Sequence, residues 1–229
     1  MRFQAGSYLK YARGFAEAIA RQVTIRFTTW KATNKPKKLR VGFVSGDFNS
    51  HPVGYFLEGL LTGMSTSDIE LYAYPTVNVC DELTLRIRKL FSSWKPVFDK
   101  SDDDAANSIH EDAINILIDL SGHTVNNRLA IFARRPAPIQ VAWLGYYAST
   151  GLREIDYILG DPYVTPFEEE HHFTEKIWQL PKSYFCFAPP AEEMPINELP
   201  ALSNNFVTFG CFNKISRMTE QVLVSRAKI

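Results

Sequence analysis

Apolar and polar positions along the chain form blocks that predict an α/β fold. A helix is predicted over Gln4–Val23, where apolar side chains recur at helical spacing. Short apolar runs ended by turn residues then predict strands at Leu39–Val44, Ile69–Tyr74, Pro96–Asp99, Ile114–Leu120, Ile139–Leu144, Asp156–Leu159 and Lys176–Leu180. Helical segments lie between them at Val53–Leu61, Asp81–Trp94, Asp102–Ala113 and Asn127–Arg135. This alternation is typical of a parallel sheet with right-handed crossovers and flanking helices.

The same pattern divides the chain into four parts. Residues 1–38 form a helix and a polar connector, and residues 39–182 form a Rossmann-like lobe. Residues 183–205 are rich in proline and aromatic side chains, which is typical of an interdomain connector. Residues 206–229 predict a new strand, Phe206–Phe212, followed by a helix over Met218–Ile229. We therefore expect a second lobe to begin here.

Composition excludes several classes of function. The chain has 25 basic and 25 acidic residues, so neither nucleic acid nor an anionic membrane is expected as a partner. The sequence contains no run of about 18 apolar residues, so no membrane-spanning helix is predicted. Cys80, Cys186 and Cys211 have no metal-binding spacing, which favours reduced thiols and a cytoplasmic location. The basic run Lys31–Arg40 is read as a solvated linker, with phosphate attraction as the alternative.

The stretch Leu39–Phe56, LRVGFVSGDFNSHPVGYF, is the strongest candidate for a functional loop. Small and ionisable residues crowd the end of a buried strand, where open α/β sheets bind their ligands. Asp47 and His51 lie four residues apart in this loop, and such a pair suits proton transfer. The alternatives are structural: an aspartate after a strand often caps the next helix, and a histidine before proline often only fills space.

Other loops carry weaker signals. His123 follows a buried strand and is read either as a ligand-loop residue or as a half-buried structural histidine. Gly145 and Gly151 allow the backbone to approach a ligand closely, or simply form a tight turn. Arg134 and Arg135 are expected to form structural ion pairs rather than a phosphate clamp.

Two further charged segments have opposing interpretations. Lys214 and Arg217 follow the predicted strand Phe206–Phe212, at the start of the next predicted helix. Cations at such a junction suit a phosphate ligand. The alternative is that both are surface charges. Glu168–His172 predicts a solvated helical face, with a metal site as the minor alternative. No GxGxxG or GxxxxGK[ST] motif is present, so ordinary dinucleotide and ATP sites have no support.

Several of these motifs together resemble the catalytic region of the O-linked N-acetylglucosamine transferase and SPINDLY family. The resemblance rests, in order, on VGFVSGDFNSHPVGYF, INILIDLSGHT, ARRPAPIQVAWLGYYASTG, DYILGDPYVTP and FGCFNKISRMT. It implies helical TPR repeats followed by two Rossmann-like lobes in a GT-B arrangement. This chain then corresponds to the first lobe, the helix before it, and the first strand and helix of a truncated second lobe.

The resemblance also implies an activity and residue roles. It implies inverting transfer of N-acetylglucosamine from UDP-GlcNAc to protein Ser or Thr hydroxyls, without a metal ion or other cofactor. Asp47 matches the family carboxylate proposed as a base or proton relay, and His51–Pro52 match a histidine-proline pair beside the donor. Leu144, Gly145 and Tyr147 match the loop that touches the sugar. By the same resemblance, Asn213, Lys214 and Arg217 of the second lobe are expected to bind substrate. His123 is also expected to bind substrate, because of its setting in a Gly-His-Thr loop.

The sequence departs from the family pattern in ways that bear on sugar fit. The sugar loop often reads GYPGTSG in the family, whereas Tyr147 and Ala148 replace its proline and glycine here, and Ser149 and Thr150 are exchanged. Arg217 stands where a phosphate-binding lysine is usual. Arginine keeps the charge but not the shape of lysine.

Three functional hypotheses remain open on the sequence. The first is a glycosyltransferase lobe that is inactive by itself and needs a second lobe and upstream TPR repeats. The second is a non-enzymatic remnant or protein-binding module. The third is a related enzyme with another donor, such as GDP-fucose.

Overall fold

A computed structural model describes residues 5–33, 35–64, 68–188, 195–212, 215 and 218–228. The chain divides into two compact units, Met1–Ala188 and Pro189–Ile229.

The first unit is built on a sheet of seven strands in the order β3-β2-β1-β4-β5-β6-β7. Every neighbouring pair in this sheet is parallel. The strands are β1 Leu39–Ser45, β2 Ile69–Pro75, β3 Ser93–Trp94, β4 Ile116–Asp119, β5 Ile139–Ala142, β6 Tyr157–Gly160 and β7 Lys176–Gln179. The predicted Rossmann-like fold class is thereby confirmed.

Helices cover both faces of this sheet. They are α1 Ala5–Ala20, α2 Pro52–Gly63, α3 Glu82–Arg88, α4 Asp102–Glu111 and α5 Leu129–Ala133, with a 3₁₀ helix at Phe167–His172. In β1, Phe43 packs into the cluster that contains α2 and α3, whereas Val44 packs into the cluster that contains α4 and α5. Successive side chains of a strand point to opposite faces, so a strand covered on both sides needs a continuous apolar run.

Two boundaries near β3 differ from the sequence prediction. The predicted helix Asp81–Trp94 ends at Arg88, and the predicted strand Pro96–Asp99 is instead Ser93–Trp94. The physical reason is packing: Trp94 lies with its ring centroid 5.3 Å from that of Phe48, which a continued helix would prevent. Asp81 caps α3 as expected, since its side chain accepts a hydrogen bond from the Thr84 amide.

The predicted structural roles of the paired arginines are confirmed. Arg134 is buried and pairs with Asp103, and Arg135 pairs with Asp156 at 2.8 Å. In the basic run, Lys31 pairs with Glu111 and Arg40 pairs with Glu70. Those two cations therefore have structural partners.

The second unit contains two short helices within its described part, α6 Pro200–Asn204 and α7 Glu220–Arg226. The predicted strand Phe206–Phe212 is not formed. A strand needs a neighbour to receive its backbone hydrogen bonds, and the described part of this unit contains no other strand. Phe206, Phe209 and Phe212 are correspondingly exposed. Helix α6 lies inside the predicted connector and was not foreseen.

We expect the amides of Phe206–Phe212 to exchange with solvent far faster than those of β1, because they form no ladder and their side chains are exposed. Hydrogen–deuterium exchange followed by mass spectrometry measures this, with the peptide that covers β1 as the protected reference. Strong protection of Phe206–Phe212 would show that the segment pairs with another strand.

Candidate functional site

The candidate site lies where the strand order reverses. From β1 the chain first builds outward through β2 and β3, and then returns to add β4 on the other side of β1. In open α/β sheets this switch point forms a crevice beyond the carboxyl ends of the strands, where ligands bind. The loops after β1, β4 and β5 all begin at this edge. They carry the predicted residues of the first unit.

Asp47 lies in the loop after β1 and is only partly exposed, with 20% of its side-chain surface accessible. Burial raises the pKa of the Asp47 carboxyl, and the nearby His51 partly offsets this rise. The Asp47 amide donates to Ser45 Oγ at 2.9 Å. Among the hydrogen bonds between the residues that the structure describes, none is accepted by the Asp47 carboxylate. Its oxygens are therefore available to a ligand.

His51 caps α2, a role that the structural alternative for this loop gave to Asp47. Its Nδ1 accepts a hydrogen bond from the Val53 amide at 3.3 Å, and Pro52 is the first residue of the helix. The same Nδ1 lies 3.7 Å from Asp47 Oδ2. A nitrogen that accepts from Val53 has no proton to give to Asp47. The capping bond and a charged pair with Asp47 are therefore alternatives, and the second requires a protonated imidazole.

His123 lies in the loop after β4 and is half-buried. Its Nε2 lies 2.9 Å from the Thr150 carbonyl oxygen, which can only accept, so Nε2 carries the proton. Burial lowers the pKa of His123, which favours the neutral ring. The ring packs edge-on against Phe15 of α1 and against Tyr146. His123 therefore lies half-buried at the rim, with its Nε2 proton engaged by the loop after β5.

The loop after β5 turns sharply at Leu144 and Gly145. Leu144 has φ of 78°, in the left-handed region that costs a non-glycine residue about 1–3 kcal/mol. A Cβ on Gly145 would lie 1.9 Å from the Leu120 carbonyl oxygen, so only glycine fits. Tyr147 is exposed, and its hydroxyl lies 3.4 Å from that of Tyr8 on α1. This strained turn brings the predicted sugar loop next to helix α1.

Two buried carboxylates that hold the loops after β4 and β5 were not predicted from the sequence. Asp119 is the last residue of β4, and it accepts hydrogen bonds from the amides of Ser121 and Gly122 at 3.2 and 2.7 Å. Glu175 immediately precedes β7 and accepts hydrogen bonds from Ser149 and Thr150. An acidic residue inside the apolar run ILIDL was an available signal for Asp119. Only the tertiary contacts show the role of Glu175.

Three predicted substrate-binding residues, Asn213, Lys214 and Arg217, lie outside the described residues. Within the described part of the chain, no three or more His, Cys, Asp or Glu side chains are arranged to hold a metal ion. The segment Phe167–His172 forms a largely exposed 3₁₀ helix, as expected for a solvated face. The described helices include none that is long and apolar enough to cross a membrane.

The fold and this rim define an open α/β lobe with a ligand crevice at its switch point, and comparison with known proteins gives its family. The model of glycosyl transferase family 41 matches residues 17–190. The chain belongs to this family.

Individual relatives agree with this assignment. A probable UDP-N-acetylglucosamine–peptide N-acetylglucosaminyltransferase SPINDLY from Arabidopsis thaliana is 37% identical over 209 residues, covering 89% of this chain and 23% of the relative. A UDP-N-acetylglucosamine–peptide N-acetylglucosaminyltransferase from Caenorhabditis elegans is 37% identical over 153 residues, covering 65% of this chain and 13% of the relative. The structure of a mutant O-GlcNAc transferase from Thermobaculum terrenum superposes with a TM-score of 0.88 at 33% identity, covering 99% of this chain and 43% of that one. The chain therefore spans less than half the length of each of these proteins.

We expect Gly145→Ala to destabilise the protein, since the new methyl group would meet the backbone carbonyl of Leu120, which cannot move aside cheaply. Gly14→Ala is the matched control, because a Cβ at this position in α1 meets nothing within 4 Å. The control should stabilise by about 0.5–1 kcal/mol through helix propensity. Urea denaturation measures both, and a neutral Gly145→Ala would show that the turn is looser than the structure indicates.

Asp119 should make stability depend on pH. Burial raises its pKa from the ordinary 3.8 to about 7, so the folded protein holds this proton more tightly than the unfolded chain. Its contribution to stability is therefore full below pH 3.8 and is lost as pH rises through about 7.

Asp119→Asn removes this titration, although it leaves one of the two amides without its acceptor at every pH. Between pH 3.8 and about 7 the wild type should lose stability that the variant does not lose. The difference in unfolding free energy should therefore shift in favour of the variant by up to about 1.4 kcal/mol per pH unit. Urea titrations at several pH values test this, with exposed Asp99→Asn as the control that should follow wild type. A constant difference between Asp119→Asn and wild type would mean that Asp119 does not titrate there.

Proposed function

We propose that this chain is the acceptor-side lobe of an inverting glycosyltransferase that moves N-acetylglucosamine from UDP-GlcNAc to Ser or Thr hydroxyls of proteins. Membership of family 41 and the printed names of the relatives support this class of reaction. The observation that carries the proposal is Asp47. It is a partly buried carboxylate at the switch point, with a raised pKa and with oxygens that no described hydrogen bond occupies.

In the proposed reaction, the acceptor hydroxyl oxygen attacks the anomeric carbon of the sugar. A bond forms between these two atoms as the bond from carbon to the UDP oxygen breaks. Asp47 accepts the hydroxyl proton, and UDP leaves with the bonding electron pair. Burial raises the pKa of the Asp47 carboxyl, which makes this carboxylate a stronger base than an ordinary one and suits this step.

The strained loop after β5 has the form expected of a substrate-positioning element. Leu144 is held in the left-handed region and Gly145 packs against the backbone of Leu120, just after β4, so the loop has little freedom to relax. Such preorganisation lowers the entropy cost of aligning acceptor and sugar. We assign Leu144, Gly145 and Tyr147 to the sugar side and His51 with Pro52 to the donor phosphate side, as the family resemblance implies.

The remaining parts of the proposal concern what surrounds this lobe. A second lobe that includes Asn213, Lys214 and Arg217 would supply most nucleotide contacts, and TPR repeats would present the protein acceptor. The reaction would proceed without a resident metal ion or cofactor, in the cytoplasm. The 229-residue chain by itself is then expected to be inactive.

The decisive variant is Asp47→Asn, which keeps the shape of the side chain and removes its basicity. We propose to test it in a chimera that joins this chain to the remaining C-terminal part of the Thermobaculum terrenum enzyme. Transfer to a Ser/Thr peptide should fall by about 10²- to 10⁴-fold, the range typical of a lost general base. The Kd for UDP, measured by calorimetry, should hardly change, and Asp99→Asn should match the parent in both measurements.

Three outcomes would contradict the proposal. Equal losses of turnover and UDP binding would make Asp47 structural. A folded parent chimera that binds UDP but does not transfer from UDP-GlcNAc would reject this lobe as a participant in that reaction. Robust turnover by the 229-residue chain alone would show that no second lobe is needed.

A further inference from the structure

Glu175 is a buried carboxylate. Neither the sequence pattern nor membership of the family explains why it is buried here. It is 2% exposed, and none of the ion pairs between described residues includes it. A buried charge is costly unless hydrogen bonds compensate it. The Glu175 carboxylate accepts such hydrogen bonds from Ser149 and Thr150 in the loop after β5 and from the amide of the preceding residue, Thr174.

The carboxylate organises this loop through two hydroxyls. Ser149 Oγ donates to Glu175 Oε2 at 2.7 Å, and Thr150 donates to Oε1 through its hydroxyl and, at 2.7 Å, through its amide. Because an ionised carboxylate can only accept, both hydroxyl protons must point toward it. The hydroxyl oxygens then accept from the backbone. Ser149 Oγ accepts the Gly151 amide at 3.0 Å, and Thr150 Oγ1 accepts the Leu152 amide at 3.3 Å.

The loop held in this way fixes two other elements. The Thr150 carbonyl oxygen accepts the Nε2 proton of His123, which selects the imidazole tautomer and leaves Nδ1 as an acceptor. Gly151 lies against α1, where a Cβ would be only 2.4 Å from the Ala12 carbonyl carbon. The hydrogen bonds therefore run from Glu175 through the loop to His123, and the loop itself is pressed onto α1.

We propose that Glu175 is a positioning residue that, through Ser149 and Thr150, holds the loop after β5 and sets the tautomer of His123 at the rim. It touches neither substrate nor reacting atoms in this role. The effect on transfer rests on the proposed function, whereas the effect on His123 does not.

The tautomer of His123 is measurable in the 229-residue protein without any activity. Labelling histidine with ¹⁵N and recording long-range ¹H–¹⁵N correlations separates the two ring nitrogens of a neutral imidazole. Only five histidines are present, and His123→Gln identifies the signals of His123. The wild-type ring should show a single Nε2-protonated form.

Glu175→Gln should shift these signals toward an average of the two tautomers, because the amide group cannot accept at both of its former oxygen positions. Thr150→Val keeps the side-chain shape and removes one hydroxyl, so it should shift them in the same direction by less. Thr150→Val also supplies the answer if Glu175→Gln does not fold. The matched control is Asp161→Asn. Asp161 is also a buried carboxylate that accepts hydrogen bonds from loop amides, those of Val164 and Tyr184, and among the described residues it has no hydrogen bond to the loop that holds His123.

The proposal is overturned if His123 keeps a pure Nε2-protonated form in folded Glu175→Gln or Thr150→Val protein. It is also overturned if Asp161→Asn shifts the signals equally, since the effect would then be general loosening. If Glu175→Gln lowers transfer in the chimera but leaves the His123 tautomer unchanged, the positioning role is contradicted. If Glu175→Gln changes the tautomer but the parent chimera never shows transfer, only the proposed function is rejected.

Discussion

The carboxyl edge of this sheet depends on side-chain acceptors for loop amides that have no partner in a strand ladder. Irregular loops that pack inward leave backbone N–H groups without ladder partners, and each unpaired group would cost free energy. Carboxylates meet this need repeatedly. Asp81 accepts from Ser50 and Thr84, Asp119 from Ser121 and Gly122, and Asp161 from Tyr163, Val164 and Tyr184. The shape of the crevice follows from these bonds.

Asp47 differs from these carboxylates because its side chain accepts none of the described hydrogen bonds that hold its own loop. It follows a strand in the same way as the other carboxylates, yet its own loop is held by other groups. Ser45 Oγ accepts the Asp47 amide, and the Asn49 side chain donates to the Gly46 carbonyl oxygen. The loop therefore keeps its shape without using the Asp47 carboxylate. The Asp47 carboxylate is thereby left available for the role of base that we propose.

The alternation of apolar runs and helical segments was enough to predict the sheet, because a strand buried on both faces must be almost wholly apolar. Phe43 and Val44 illustrate this, since one packs on each side. Short elements were harder to predict. Helix α3 ends early because Trp94 is needed against Phe48, and Phe206–Phe212 has strand-like residues without a neighbouring strand to pair with. Such outcomes depend on tertiary partners that local sequence does not contain.

The site was predictable to the extent that it lies in one continuous loop. Asp47 and His51 are close in sequence, so their proximity could be expected, whereas Glu175 reaches Thr150 from 25 residues away. Even for the nearby pair, the relationship differed from expectation, because His51 Nδ1 accepts from Val53. While Nδ1 accepts the Val53 amide it has no proton to donate to Asp47, so the cap of α2 leaves the Asp47 carboxylate free for a substrate. The ring that faces the proposed base therefore also holds the first turn of α2, on the side of the loop that we assign to the donor phosphate.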